Sequence, residues 1–143
     1  MRLNIHNTYY LSISVDTNTS YADDQAPDFT NLDVKAQLGT VENDETRFQV
    51  IVSVKLDSDD RENIPYSFSI VGIALVECVI EDKNERIFKA AHNGAGIVYA
   101  GIREQLAMIS SRSLFGGITL PTYYFSQADF LEPKFEIKNN ITN

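Results

Sequence analysis

The sequence has no tryptophan and only one cysteine, Cys78, among its 143 residues. A single cysteine excludes an intramolecular disulfide framework, and its place at the end of an apolar row predicts a buried structural thiol. The two histidines, His6 and His92, are scattered relative to each other and to Cys78, without the spacing of metal ligands. The sequence therefore predicts no metal site and no cofactor.

Basic residues are also scarce, with 12 Lys and Arg against 20 Asp and Glu and a net charge of −8. Such a surface would repel a phosphate backbone, so nucleic-acid binding is disfavoured. Long apolar runs are missing as well: residues 1–10 lack the apolar core of a signal peptide, and no stretch has the length of a membrane span. We therefore expect a cytoplasmic protein that does not insert into membranes.

The first half of the chain alternates apolar and polar residues with the period of β-strands. Strands are predicted near residues 2–16, 32–38, 48–56 and 65–76, with a long loop at 17–31 and an acidic hairpin loop at 57–63. In the first strand one face is expected to carry the apolar residues Leu3, Ile5, Tyr9, Leu11, Ile13 and Val15. Four consecutive strands suggest an antiparallel meander whose apolar face needs a cover.

The second half has the helical period instead. One helical stripe over residues 97–111 is formed by Val98, Ile102, Leu106 and Ile109. Residues 81–89 are expected to be a charged link and 94–96 a glycine turn that enters the helix. Ser126 followed by Asp129 predicts the cap of a short helix over 127–131.

These elements predict an α+β fold: a four-stranded antiparallel sheet, with a long first loop, packed against one long and one short C-terminal helix. The length fits a single domain, expected over residues 1–132, with a polar and flexible tail over 133–143. The sequence leaves a Cys/His nucleophile pair open, but Cys78 ends the core-facing row of a strand, where a thiol is usually inert. Gly94 and Gly96 are not followed by a third glycine at the spacing of a phosphate loop. We therefore expect no enzymatic activity and no catalytic residue.

Residues 93–104, 109–115 and 118–125 carry a more specific pattern. Their matching positions are Arg103-Glu104, Ser111-Arg112, Phe115, Leu120-Pro121 and Phe125. In this pattern the chain resembles the SecB export chaperones. The first half is similar in layout, with a tyrosine-bearing first strand and an Ala-Pro loop that ends in Phe29, so the resemblance covers about residues 2–131.

The resemblance implies a four-stranded antiparallel sheet backed by helices, and dimers that associate as tetramers. It also implies an ATP-independent holdase that binds unfolded or precursor polypeptides for export. Carried over by position, the walls of the client-binding groove would include Phe29, Leu114, Phe115, Leu120, Tyr123, Tyr124 and Phe125. Broad aromatic surfaces suit such binding, because aromatic side chains offer a large contact area with few rotatable bonds.

The sequence departs from the family where SecB docks the motor protein SecA. Asp16 matches one docking acid, but the other docking positions fall on Ser12 and near Pro65 and Ser67, which carry no charge. Two alternatives therefore stay open: a dedicated chaperone that protects the antitoxin of a toxin–antitoxin system, and a SecB-fold binding or scaffold protein without a chaperone role.

Two arginines of the long helix, Arg103 and Arg112, are candidates for contacts between subunits. They are nine residues apart and so lie on opposite sides of a helix. For Arg112 an interaction with the last helical carbonyls would also suffice.

Overall fold

A computed structural model describes residues 2–22, 27–57 and 64–130, together with the backbone of 135–137. The predictions for the remainder of the two loops, for Leu131 and Pro133, and for the rest of the tail lie outside the described residues.

The predicted α+β fold is confirmed. The strands are β1 (Arg2–Thr17), β2 (Asp33–Val41), β3 (Asp44–Leu56), β4 (Tyr66–Val79) and β5 (Phe135–Ile137). They form one sheet in the order β1-β4-β3-β2-β5, in which β5 pairs with β2 in parallel and the other pairs are antiparallel. The meander thus comprises β2, β3 and β4, whereas β1 pairs with β4, because the long first connection carries the chain across to the opposite edge of the sheet.

The core lies between the sheet and one long helix, α1 (Lys83–Ser111). The inward rows of the two central strands are buried as predicted, from Phe48 to Leu56 on β3 and from Tyr66 to Cys78 on β4. Burial also raises the pKa of the Cys78 thiol. A thiol kept protonated in this way is not nucleophilic, which fits a structural residue.

Helix α1 begins much earlier than predicted. Asp82 is its N-cap and accepts a hydrogen bond from the Glu85 backbone N–H at 2.8 Å, so the predicted charged link is in fact the first turns of the helix. The predicted glycine turn is wrong as well. A Cβ at Gly94 would lie 2.8 Å from Val50 Cγ2 and 3.0 Å from Val76 Cγ2, so this glycine lets the helix cross the sheet closely.

The alternation predicted for β1 is interrupted by two register shifts, between Ile5 and Asn7 and between Tyr10 and Ser12. Because opposed residues share a face, the bulges place Tyr10 beside Gly72 on the helix side and move Tyr9 to the outer face. The predicted inward positions of Tyr9 and Leu11 are therefore wrong. Leu11 lies at the second bulge and is 60% exposed.

Candidate functional site

The segment that follows α1, residues 113–126, turns at 113–115 and then runs back along the helix without regular secondary structure; we call it the strap. Its order against the helix follows from its hydrogen bonds. The Ile118 N–H donates to Ser110 Oγ at 2.9 Å, near the end of α1, whereas the Phe125 carbonyl lies 2.7 Å from His92 Nδ1, in the first half of α1. The strap is therefore antiparallel to the helix that it covers.

Side chains of α1, rather than a neighbouring strand, hold this part of the strap by hydrogen bonds to its backbone. Between the two end contacts, Arg103 Nε donates to the Leu120 carbonyl at 3.0 Å and Tyr99 Oη donates to the Pro121 carbonyl at 2.6 Å. The four anchors on α1, at positions 92, 99, 103 and 110, lie within about 40° of one line along the helix at 3.6 residues per turn. One stripe of the helix thus fixes the path of the strap.

A residue of the sheet, Tyr66, holds the first residues of the strap in place. Tyr66 is fully buried at the start of β4, and its hydroxyl accepts from the Phe115 N–H and donates to the Gly116 carbonyl, both at 2.9 Å. Tyr21, from the connection between β1 and β2, packs edge-on against the Phe115 ring with 4.9 Å between the ring centroids. The first loop and the strap are therefore neighbours at this contact.

The predicted groove residues divide into three groups by exposure. Leu120 and Phe125 are 1% and 4% exposed and belong to the core. Leu114 and Tyr124 are 72% and 84% exposed and project from the strap. The third group is half-buried and consists of Phe29, Phe115 and Tyr123. Only the second group offers most of its surface to another molecule.

An aromatic cluster closes the far end of the strap. Its closest pair is Tyr123 with Phe125, at 4.7 Å between ring centroids, and Tyr99 and Phe130 join them at about 6 Å. Tyr123 Oη donates to Asp129 Oδ1 at 2.7 Å. Burial, this hydrogen bond and the charge of Asp129 together raise the pKa of Tyr123 to about 12.

A single 3₁₀ turn, Gln127–Phe130, follows the strap. One half of the predicted capping box is present: the Ser126 N–H donates to Asp129 Oδ2 at 2.6 Å, while the Ser126 hydroxyl donates to the same carboxylate and caps no backbone N–H of the described residues. Burial would raise the pKa of the Asp129 carboxyl, but the hydrogen bonds from Ser126 and Tyr123 outweigh it and hold this pKa below its usual value. The turn is a 3₁₀ helix rather than the short α-helix expected.

A cavity of about 510 Å³ opens between the first turns of α1, the 3₁₀ turn and β2. We call it the β2 groove, and it is lined by Leu38, Asn84, Ile87, Phe88, Ala91, Gln127 and Phe130. Five of its seven lining side chains are apolar and two are neutral amides, while polar and apolar atoms contribute similar shares of its surface. None of the seven is charged, although the protein as a whole carries a charge of −8. Its volume lies in the range of sites that hold several apolar groups.

The remaining predicted residues lie apart from the groove. Arg103 acts within its own chain as an anchor of the strap, and Arg112 is exposed at the C-cap of α1. Asp16 is exposed near the end of β1, opposite Ser67 on β4. These three side chains are thus distributed over three places and form no common site.

The β2 groove was not predicted from the sequence, because α1 was expected to begin after its first turns. The capping pair Asp82 and Glu85 was the signal that could have revealed those turns. The stripe of α1 that anchors the strap could be predicted only in part. Polar residues on a helix face that another segment covers have the same period as polar residues on a face exposed to solvent, so the sequence does not distinguish the two.

Among residues 2–22, 27–57 and 64–130, no group of three or more His, Cys, Asp or Glu side chains is placed to hold a metal ion. Within the same part of the chain, no helix has both the length and the apolarity that a membrane crossing requires.

Comparison with known proteins gives structural likeness only, since no protein-family model and no curated protein matches the chain. The SecB-like chaperone Rv1957 of Mycobacterium tuberculosis, solved with a ChAD peptide from the HigA1 antitoxin, is similar with a TM-score of 0.63 and 18% identity, over 85% of this chain and 91% of that one. A protein of unknown function from Streptococcus agalactiae is similar with a TM-score of 0.53 and 15% identity, over 85% and 98% of the two chains. The chain therefore has the fold of a SecB-like chaperone, as the resemblance implied.

Proposed function

We propose that this protein is an ATP-independent chaperone that binds unfolded polypeptide segments and keeps them from aggregating. The β2 groove is the observation that carries the proposal. Its five apolar side chains suit the side chains that a folded client would bury, and the amides of Asn84 and Gln127 suit the polar backbone of an extended segment. The exposed Tyr124 lies at the end of the strap near His92, towards the groove, whereas the exposed Leu114 lies at the other end of the strap.

We propose binding without catalysis. Among the described residues, the groove is lined by apolar and amide side chains, and none of these lining residues is an acid, base or nucleophile that could act on a bound chain. The acidic charge of the remaining surface would attract basic segments of a client and keep chaperone molecules apart.

For the client, we propose an incompletely folded protein such as an antitoxin rather than a precursor delivered to SecA. The support is twofold: the structurally similar mycobacterial chaperone was solved with an antitoxin peptide, and the outer face of β1 and β4 carries Ser12 and Ser67 where SecB has docking acids. Asp16 is the one feature that supports export. The proposal includes a cytoplasmic location, as expected from the sequence.

The proposal is tested by light scattering of a chemically unfolded protein diluted into buffer without ATP. The wild-type chain should suppress aggregation at near-stoichiometric ratios. Phe88→Ser, in the groove, and Tyr124→Ser, on the strap, should each weaken client binding by about tenfold, the effect of losing one buried aromatic contact. Both side chains are exposed, at 42% and 84%, so the thermal unfolding midpoint should stay within a few degrees of wild type.

The matched control is Val79→Ser, which removes an apolar side chain of similar exposure, 44%, at the end of β4. It should hold clients like wild type. If the wild-type chain fails to suppress aggregation at several-fold excess, the holdase proposal is wrong, and a binding or scaffold protein of SecB-like fold is the alternative. If wild type holds clients and Val79→Ser fails equally with the two variants, the groove is not the binding site.

A further inference from the structure

Strand β5 occupies one end of the outer edge of β2. It is three residues long and pairs in parallel with Gly39–Val41, the last part of a nine-residue strand. It forms the one parallel pair in the part of the sheet that the structure describes. Parallel pairing is slightly weaker per residue than antiparallel pairing, and three residues contribute few hydrogen bonds.

The paired end of β2 adjoins the β2 groove. Leu38 lines the groove and directly precedes Gly39, the first residue paired with β5. An extended chain hydrogen-bonded to this edge would have alternate side chains on the side of the sheet where α1 lies. The edge and the groove together therefore provide what strand addition requires, namely backbone partners that only a short strand occupies and an adjacent pocket with apolar side chains.

We propose that an extended apolar segment of a client pairs with the outer edge of β2 at Gly39–Val41, displaces β5, and places apolar side chains in the β2 groove. This inference rests on the proposed function and adds the mode of binding and its regulation. The sequence of β5, Phe135-Glu136-Ile137, itself alternates apolar and polar residues as such a client would. The strand thus acts as an internal competitor that lowers the apparent affinity for weak clients.

The first test uses the full chain with one residue of β5 changed. In Glu136→Pro the backbone loses an N–H and cannot pair normally, whereas Glu136→Ala removes the same side chain and keeps the N–H. The probe is a fluorescein-labelled peptide of alternating leucine and threonine, with binding measured by fluorescence anisotropy. Glu136→Pro should bind the probe on the order of three- to tenfold more tightly, and Glu136→Ala should bind like wild type.

The second test needs no variant. Backbone hydrogen exchange of the wild-type chain is measured with and without the probe at saturation. The amides of β5 should lose protection when the probe binds, while those of Gly39–Val41 should keep it, because the probe replaces β5 as their partner.

The outcomes separate this inference from the function on which it rests. A probe that binds neither wild type nor Glu136→Pro overturns both. A probe that binds all three chains equally, and leaves the exchange of β5 unchanged, overturns strand displacement but keeps the chaperone. Weaker binding by Glu136→Pro would show that β5 supports the site instead of competing for it.

Discussion

Gly94 and Gly96 stand two residues apart in the same helix and should respond to alanine with opposite signs. At Gly94, which faces β3 and β4, an added Cβ would lie 2.8 Å from Val50 Cγ2 and 3.2 Å from Val50 Cβ. At Gly96 nothing lies within 4 Å of the added carbon. Valine has a stiff χ1 torsion, so Val50 cannot move aside without shifting its strand.

The magnitude follows from comparing the two variants. Each gains the same helix propensity, since alanine is better than glycine in a helix interior by about 1 kcal/mol. Gly96→Ala should therefore raise the free energy of unfolding by about 0.5–1 kcal/mol. Gly94→Ala adds an overpacking cost of about 1–3 kcal/mol, so it should be the less stable of the two by that amount. The difference between the free energies of unfolding of the two variants therefore measures the close contact of α1 with the sheet.

The assay is urea unfolding followed by circular dichroism at one fixed protein concentration, with the oligomeric state of each variant checked by sedimentation. Unfolding midpoints should rank Gly96→Ala above wild type and wild type above Gly94→Ala, with similar slopes. If Gly94→Ala were as stable as Gly96→Ala, the close helix crossing at Val50 would be refuted, and with it the position of the first turns of α1 that line the groove.

Two further changes test the strap and its cap. Tyr66→Phe leaves the Phe115 N–H and the Gly116 carbonyl without their partner, so it should lower the free energy of unfolding by about 1–3 kcal/mol. The control is Tyr124→Phe, which removes the hydroxyl of an exposed ring and should leave thermal unfolding unchanged. Asp129→Asn should cost about 1 kcal/mol at pH 7, because a charge-assisted cap becomes a neutral one. Since the pKa of Asp129 is lowered from 3.8 in the folded state, its contribution is complete above that value and is lost as the pH falls through the folded-state pKa, so urea unfolding of wild type and Asp129→Asn should converge in acid.

The strands and the fold class could be predicted because a sheet with one buried face has apolar and polar residues that alternate along each strand. The rows of β3 and β4 follow this period without interruption from Phe48 to Leu56 and from Tyr66 to Cys78. In β1 the period was misleading, because two bulges change the face and neither leaves a glycine or proline as a mark. Tyr10 rather than Tyr9 packs on α1 for this reason.

The candidate site was predicted less completely, and for two distinct physical reasons. Glycine was interpreted by its low helix propensity, whereas at Gly94 the close approach of the sheet overrides propensity, so the first turns of α1 and the groove beside them were missed. Six of the seven predicted groove residues lie in the strap. Which of its side chains point inward depends on the hydrogen bonds from α1, and a sequence period cannot show them.

The long edge strand β1 leads to a prediction about assembly. It has 16 residues, pairs with β4 on one side, and ends the sheet on the other. Its large exposed side chains are Tyr9, Tyr10, Leu11 and Ile13, at 39–60%. Edge strands of monomers are commonly protected by lysine or proline, and β1 contains neither, so we propose that it is covered by a second copy of the chain.

Leu11→Lys should therefore separate the copies. In a two-fold interface the change occurs twice, and each lost leucine contact is worth about 1.5–3 kcal/mol, so the dissociation constant should rise by about a hundredfold or more. Thr17→Lys, at the end of the same strand, adds the same charge outside the apolar stretch and should assemble like wild type. Sedimentation velocity over a range of concentrations measures both. A wild-type chain that stays monomeric throughout, or a Leu11→Lys variant that assembles as wild type does, would show that the edge of β1 is not the interface.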